Sequence, residues 1–290
     1  LKNLLARDWF AAAAIALVLI AAAIGLGYEN NKIVPANSAT TAHYLAEPHN
    51  RLSFLSDWDG PIYLNIATHG YTSQDQTNFF PLYPLLTRLV DVVVSSPLYS
   101  VLAVAWTAFA GAVYFYLKII RHLYRPKNQL ERLRGILPFV LFPTSIFLVA
   151  TYTESLFACL ALGALYFTLR KRYGWAALLT AGTTATHATG VFVVVLVALL
   201  MFEQKERLHK IAAVSVAGSA GLLTYMVYLQ VRFHDALAFV GAQHNHSGLD
   251  VGPNHLLHLI VSRNTVFVLL LALTVIYWWN RRRSFAVYSL

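Results

Sequence analysis

The feature that most constrains this chain is a series of apolar blocks carrying almost no charge: residues 11–27, 101–120, 135–150, 155–169, 175–202, 211–231 and 265–279. A helix advances about 1.5 Å per residue, so about 20 apolar residues cross the hydrocarbon of a bilayer. Several blocks reach that length. Only 12% of the residues are charged and 58% are hydrophobic, whereas a soluble domain carries roughly a quarter charged residues. There is too little polar surface to face water all round. The runs are continuously apolar rather than alternating, which predicts spanning helices and argues against a barrel. The expected fold is therefore all-α, a polytopic transmembrane helical bundle.

A net charge of +9 raises the question of nucleic acid, and its placement answers it. Of the 22 Lys and Arg, 17 fall in five clusters at block ends: Lys2 with Arg7, then 118–134, 170–172, 205–210 and 281–283. Nine of the 13 acids lie in the regions between, where the only cations are Lys32, Arg51, Arg88, Arg232 and Arg263. That asymmetry is what the positive-inside rule produces. The basic balance is topological, and no nucleic-acid partner is expected.

With every cluster in the cytoplasm, residues 9–27 go outward and 28–96 form a long outer segment. Residues 98–120 return, 135–151 go out, 155–169 come back, 211–231 go out and 264–279 return. The stretch 81–94 is short and flanked by proline, so it is expected to lie along or partly in the outer leaflet. The 28 residues of 175–202 have basic clusters at both ends and must make an even number of passes. A break near residues 187–190 gives two short helices meeting toward the outer side; non-helical backbone at that depth persists only where it lines a buried or wet cavity. The expectation is one transmembrane domain over residues 1–290, with about eight passes and an outer loop of interfacial helices over 28–96. The chain starts at Leu1 and stops soon after a basic cluster, so terminal spans are expected to be missing. Block 11–27 lacks a convincing cleavage site and reads as a retained anchor. The single Cys159 allows no internal disulfide.

Polar chemistry concentrates in the outer regions. The segment Ser56-Asp57-Trp58-Asp59-Gly60 places two acids one residue apart among aromatics. Partial desolvation raises the proton affinity of an acid and suits it to general-base work. The alternative is that Asp57 caps a short helix and Trp58 anchors it at the interface. Glu154 lies in Thr151-Tyr152-Thr153-Glu154-Ser155-Leu156-Phe157, a tight turn on the same side. Ionisable residues at membrane depth are costly and functional by default; the alternative has Thr153 capping the next helix and Glu154 favouring its first turn. His187, at the helix break, is either a packing or a catalytic residue. His234, His244, His246, His255 and His258 fall close together, with Asp235 and Asp250. Their spacing matches no closed four-ligand zinc pattern, so no metal is expected.

The motifs Trp58-Asp59-Gly60 followed by Tyr63, then Gly70-Tyr71 and Phe80-Pro81-Leu82-Tyr83-Pro84, resemble the GPI mannosyltransferase II (PIG-V) family. Phe142-Pro143-Thr144-Ser145 and Tyr152-Thr153-Glu154-Ser155-Leu156-Phe157 resemble its second signature, in the same order and at similar spacing. The likeness covers about residues 50–240. It implies a GT-C fold with a catalytic acid on the first outer loop, and a polyprenyl-phosphate sugar as donor. Carried over, the family's tryptophan-aspartate acid is Asp59, with Asp57 its neighbour, and Glu154 is the glutamate of the second motif. Thr186-His187-Ala188-Thr189-Gly190 stands where the family commonly reads Thr-Arg-Pro-Thr-Gly. Arginine holds phosphate bidentately and is permanently charged, whereas His187 is charged only conditionally. Asn245-His246-Ser247 replaces a usual tryptophan-arginine pair.

The resemblance thus implies a membrane glycosyltransferase, a mannosyltransferase moving a hexose from a polyprenyl-phosphate donor to a hydroxyl acceptor with inversion, at the outer face of a plasma or ER membrane. The acceptor is a glycan, glycolipid or protein. No cofactor is expected, because lipid phosphate already leaves well and cationic donors can stabilise it; Arg88, His69, His187 and Arg263 are the candidates. Two other classes stay open. A transporter or flippase also has broken helices, but would show repeated halves, which are absent here. A non-catalytic subunit of a glycosyltransferase complex would fit the arginine replaced by His187.

Overall fold

The computed structural model describes residues 8–33, 52–56, 59–124, 128–140 and 143–247, without the side chains of 28–33, 129, 132, 133, 143, 144 and 244–247. Contacts divide the chain into two units, Leu1–Ala242 and Gln243–Leu290, and the helical bundle belongs to the first. Every regular element among the described residues is helical. The first part of the chain holds α1 (Asp8–Ile33), a 3-10 turn at Ser53–Ser56, α2 (Gly60–His69), a second 3-10 segment at Gln74–Asn78, α3 (Leu82–Val94) and α4 (Pro97–Leu123). Next come α5 (Gln129–Arg134), α6 (Leu137–Val140), a 3-10 segment at Pro143–Leu148, α7 (Glu154–Leu169) and α8 (Tyr173–Thr186). The last are α9 (Gly190–Glu203), α10 (Leu208–Gly218), α11 (Ala220–Phe233) and α12 (Ala238–Ser247). Asp8–Gly27 and α4 are long and apolar enough to cross a membrane, and the bent pair α10–α11 makes a third candidate span. The chain is an all-α membrane protein.

Side-chain contacts fix which helix ends lie together. Asp8, buried in the first turn of α1, binds Lys118 Nζ at 3.1 Å and Arg121 at 3.3 Å near the end of α4. Helices α1 and α4 are therefore antiparallel. Helix α7 runs parallel to α4: Gly111 meets Cys159, and a turn later Phe115 meets Tyr166 and Phe167 at ring-centre distances of 6.0 and 5.9 Å. Helix α8 returns along α7, where Leu179 meets Gly163 and Gly182 meets Leu160. At the foot of α8, Tyr173 Oη donates to Gln204 Oε1 at 2.7 Å, while Gln204 Nε2 donates to the Thr168 carbonyl at 3.1 Å. The basic clusters around 118–121, 170–172 and 205–210 thus gather at one end of the bundle, the asymmetry that the positive-inside rule describes.

Block 135–150 departs from the single span expected of it. It forms α6 and the 3-10 segment Pro143–Leu148, because prolines at 138 and 143 cannot donate to a continuous helical ladder. The segment still climbs the bundle. Phe139 stacks on Tyr116 at 5.0 Å, and Trp106 Nε1 donates to the Val149 carbonyl at 2.9 Å, ~15 Å further along α4 toward the opposite end.

Two other breaks have identifiable causes. Helix α8 stops at Thr186 and α9 begins at Gly190, with His187 extended between them at φ −158° and ψ 147°, where the sequence placed the interruption. Helices α10 and α11 bend by 43°. There the Thr184 hydroxyl of α8 donates to the Gly218 carbonyl at 2.9 Å and accepts from Leu222 N at 3.3 Å. A side chain inserted into the helical ladder satisfies the freed backbone groups and turns the axis. Helix α3 buries Tyr83, Pro84 and Thr87 and exposes Leu85, Leu89, Val92 and Val93. Such a one-sided apolar face suits the lipid-surface position expected for 81–94. The bundle end away from the basic clusters is closed by an aromatic core containing Tyr63, Phe79, Phe80, Tyr83 and Tyr225.

Candidate active site

The two acids singled out in the sequence are drawn together by backbone. Thr151 N donates to the Leu55 carbonyl at 3.0 Å, and the Thr151 hydroxyl donates to the same oxygen at 3.2 Å, across 96 positions of sequence. This stitches the turn before Glu154 to the turn before Asp59. Gly60 completes the contact. A Cβ at that position would lie 2.2 Å from Thr151 Oγ1 and 2.8 Å from Ser56 Oγ, so only glycine lets the stretch of chain after Asp59 press against the Glu154 turn. Asp59 then sits at the N-cap of α2, and Glu154 is the first residue of α7. A carboxylate in a helix's first turn faces the positive end of the dipole, which stabilises negative charge.

Neither helix uses its cap side chain in the ordinary way. Asp59 caps α2 through its carbonyl, which accepts from Ile62 N at 3.1 Å and Tyr63 N at 3.2 Å, and its carboxylate makes no capping bond. Thr153 stands at the N-cap of α7, again with no side-chain capping bond. The expectation that its hydroxyl caps that helix does not hold. The buried Tyr63, one turn into α2, lies within electrostatic reach of both Glu154 and Asp59. The Tyr63 ring is wedged edge-on between Phe79 at 5.1 Å and Tyr83 at 5.3 Å. Burial pushes its phenol well above the usual value, so Tyr63 is a neutral hydroxyl. Ser56 Oγ and Ser155 Oγ flank the acids, fully buried and without a hydrogen-bond partner among the described residues. A buried hydroxyl left unpaired costs about 1–3 kcal/mol.

His187 borders the same aromatic core. Its ring stacks on Phe80 at 6.4 Å and meets Phe157, one turn beyond Glu154 on α7, edge-on at 6.1 Å. Nδ1 accepts from Thr189 N at 3.2 Å, which leaves the proton on Nε2 and the ring neutral. His69 ends α2, exposed and 2.8 Å from the Thr68 hydroxyl, ~15 Å along the helix from Asp59. Arg88 is exposed on α3. Asp57, Trp58 and Arg263 lie outside the described residues, as do the side chains of the histidine-rich stretch from His244 onward. Among the described residues no group of three His, Cys, Asp or Glu is arranged to hold a metal. Tyr63 follows Asp59 by one helical turn, so its closeness to the acid was readable from spacing. Nothing in the sequence announced Tyr225, whose hydroxyl donates to the Thr77 carbonyl at 2.7 Å and ties α11 to the loop after α2.

These residues fall within a recognised sequence family. A family model described as "Mannosyltransferase (PIG-V)" matches residues 29–233, most of the chain. The chain belongs to that family. Similar curated relatives include the human "GPI alpha-1,6-mannosyltransferase 2", 32% identical over 165 residues, covering 53% of this chain and 32% of the human one. The "GPI mannosyltransferase 2" of Drosophila pseudoobscura pseudoobscura is 32% identical over 115 residues, covering 37% of this chain and 25% of its own. That of Yarrowia lipolytica is 30% identical over 145 residues, covering 49% and 39%. The chain therefore spans well under half the length of these relatives. No solved structure shows significant similarity.

Proposed function

We propose that this member of the PIG-V family is a membrane mannosyltransferase whose active site opens at the bundle end opposite the basic clusters, on the outer or luminal face. The reading is supported above all by one observation: the turn before Glu154 is bonded to the turn before Asp59 through Thr151 and Leu55, and Tyr63 lies within electrostatic reach of both acids. In the proposed reaction a polyprenyl-phosphate hexose is the donor. Asp59 takes the proton from an acceptor hydroxyl, and the oxygen forms a bond to the anomeric carbon from the opposite face. The bond from that carbon to phosphate oxygen breaks, and polyprenyl phosphate leaves with the electron pair. One carboxylate base suffices because the leaving group is already good, and general-base assistance is worth about 10²–10⁴-fold. No metal is required. Glu154 orients the acceptor, with Asp57 as a second acid near the base.

His187 is the donor-phosphate candidate with most support, through its contacts with Phe80 and Phe157. It offers one hydrogen bond from Nε2, where an arginine would offer a permanent charge. The same part for His69, at the far end of α2, would require the phosphate to lie well away from Asp59; Arg88 is exposed on α3, and Arg263 is a proposal from sequence alone. The acceptor is a hydroxyl of a glycan, glycolipid or protein, and the lipid tail rests against the bundle.

The test is transfer of labelled mannose from polyprenyl-phosphate mannose by the purified chain in nanodiscs, comparing it with Asp59→Asn. Turnover should fall by about 10²–10⁴-fold in the variant, with product of inverted anomeric configuration by NMR. Equal turnover would remove Asp59 from the reaction. Inactivity of both would favour a non-catalytic subunit, for which the neutral His187 is the motivating observation.

A further inference from the structure

Helices α7 and α9 end in the same unusual way at the basic end of the bundle. The Lys205 amide donates to the Phe202 carbonyl at 2.9 Å and the Glu206 amide to the Met201 carbonyl at 3.1 Å, which folds the end of α9 back on its own last turn. Helix α7 repeats the pattern, with Lys171 donating to Thr168 at 2.9 Å and Arg172 to Phe167 at 2.8 Å. The pivot of such a closure lies in the left-handed region, where glycine is usual because it carries no Cβ. Here lysines stand there, Lys171 at φ 55° and Lys205 at φ 58°. A lysine placed earlier in either last turn would answer the helix dipole without that strain, so the dipole does not account for the position.

The loop after α9 sorts its side chains into two sets. Gln204 turns inward, accepting from Tyr173 Oη at 2.7 Å and donating to the Thr168 carbonyl at 3.1 Å. Glu206 is engaged as well, by Lys210 at 3.3 Å and Lys171 at 4.0 Å. Lys205 and Arg207 alternate with these two, are exposed, and make no ion pair among the described residues. Glu203, the last residue of α9, is the loop's other acid and is also exposed. The helices that this loop joins line an apolar groove, with Val194, Ala198 and Phe202 on one wall and Leu208, Ile211 and Ser215 on the other. Small side chains at Ala198 and Ser215 leave room between the larger ones. From Val194 to Phe202 the groove runs ~12 Å along α9, most of the ~15 Å depth of one leaflet's hydrocarbon. Leu199 and Phe202 stand 54% and 65% exposed at its rim.

We infer that the groove and the two outward cations form a seat for an anionic phospholipid of the cytoplasmic leaflet, with an acyl chain between α9 and α10 and the phosphate between Lys205 and Arg207. Lipid tails are as apolar as the groove, so the groove fixes a place without choosing among lipids. The choice comes from the headgroup. Each Lys or Arg near the surface strengthens the binding of an anionic lipid about fivefold, and Glu203 offsets part of the pair. The expected preference for an anionic over a zwitterionic headgroup is therefore about 5- to 30-fold. A second copy of this chain is a poorer occupant, because side by side in one membrane it would bring its own basic end against this one, whereas the leaflet supplies phosphate at the mouth of the groove.

The experiment titrates the full chain in detergent micelles with phosphatidylglycerol or phosphatidylcholine of matched chains and follows the first bound lipid by native mass spectrometry. The wild-type chain should prefer phosphatidylglycerol by about 5- to 30-fold, and Lys205→Gln and Arg207→Gln should each remove about fivefold of its affinity. Lys205→Gly separates binding from folding, because it deletes the ammonium while placing glycine at the left-handed position. Its melting temperature should hold while phosphatidylglycerol affinity still falls about fivefold. Ala198→Phe fills the groove with every charge in place and should remove the tight first site. Equal affinity for the two lipids would overturn the inference, as would an equal loss in Arg134→Gln, which removes a cation of a different basic cluster. Undiminished phosphatidylglycerol binding by Ala198→Phe would overturn the groove as the seat. A dimer that Ala198→Phe disrupts, with no lipid retained by the wild-type chain, would assign the groove to a second copy and overturn it too. None of these measurements involves sugar transfer, so a chain that binds lipid but transfers no mannose would overturn the proposed function and leave this inference standing.

Discussion

Gly60→Ala tests whether the acids are held together by backbone contact. The new Cβ would lie 2.2 Å from Thr151 Oγ1, more than 1 Å inside ordinary contact. Ser56 Oγ, at 2.8 Å, relieves its part by rotating, because it has no hydrogen bond to lose among the described residues. Thr151 has no such freedom, since its hydroxyl and its amide both bind the Leu55 carbonyl. Overpacking costs typically about 1–3 kcal/mol, and losing the Thr151 hydroxyl bond adds about 1 kcal/mol. The variant should therefore lose about 2–4 kcal/mol, and a 1 Å shift of the Asp59 turn should cut transfer by about 100-fold. Unfolding can be followed with a thiol-reactive dye, because Cys159 is the chain's only cysteine and faces Gly111 of α4. Thr151→Ala alone should cost about 1 kcal/mol. Added to Gly60→Ala it should raise stability, because it removes the clashing atom. A Gly60→Ala chain that unfolds at the wild-type temperature, or a double variant whose losses simply add, would refute the stitch.

At Gly221→Ala the added Cβ would come 2.1 Å from the Ala181 carbonyl oxygen and 2.7 Å from Ala185 N. Backbone cannot rotate away, so the loss should reach the upper part of the overpacking range, about 3 kcal/mol, measured by the same thiol assay; near-neutral behaviour would contradict the close approach of α11 to α8. Glu206 is held below its ordinary carboxyl value by hydrogen bonds from Tyr173 and Lys210. The link it makes between the loops after α7 and α9 is complete above pH 4.5 and weakens as pH falls through the lower folded-state value. The unfolding midpoint should thus decline with acidification in that window, and Glu206→Gln should remove that share of the decline; an identical acid slope in the variant would count against the link.

The apolar blocks made the bundle legible because a membrane leaves a segment so few alternatives. Helix α4 and the break at 187–189 fall where uncharged run length and the parity of basic ends put them. What patterning missed were events that depend on backbone donors. The run 135–150 is as apolar as its neighbours, and hydropathy does not register that two prolines divide it. The bend at Ser219 is set by Thr184 on another helix, and no local signal reports a partner that far away. At the site, Asp59 and Glu154 stood out as acids in apolar surroundings, and Tyr63 was one turn from the first. Thr153 carries a misleading signal, because a threonine before a helix looks like a cap, yet its side chain makes no capping bond here.

The same economy explains why the site lies where it does. Among apolar helices, polar groups are cheapest at helix starts, where amides are free and the dipole favours negative charge. The described part of the chain brings two such starts together, at Gly60 and Glu154, and holds them with the threonine-to-carbonyl stitch between Thr151 and Leu55. That fastening depends on a residue without an alternative, glycine at position 60, where a methyl would strike Thr151. If this contact sets the spacing of the two acids, adding Thr151→Ala to Gly60→Ala should restore part of the lost transfer together with the lost stability, because removing the clashing hydroxyl lets the two helix starts close again.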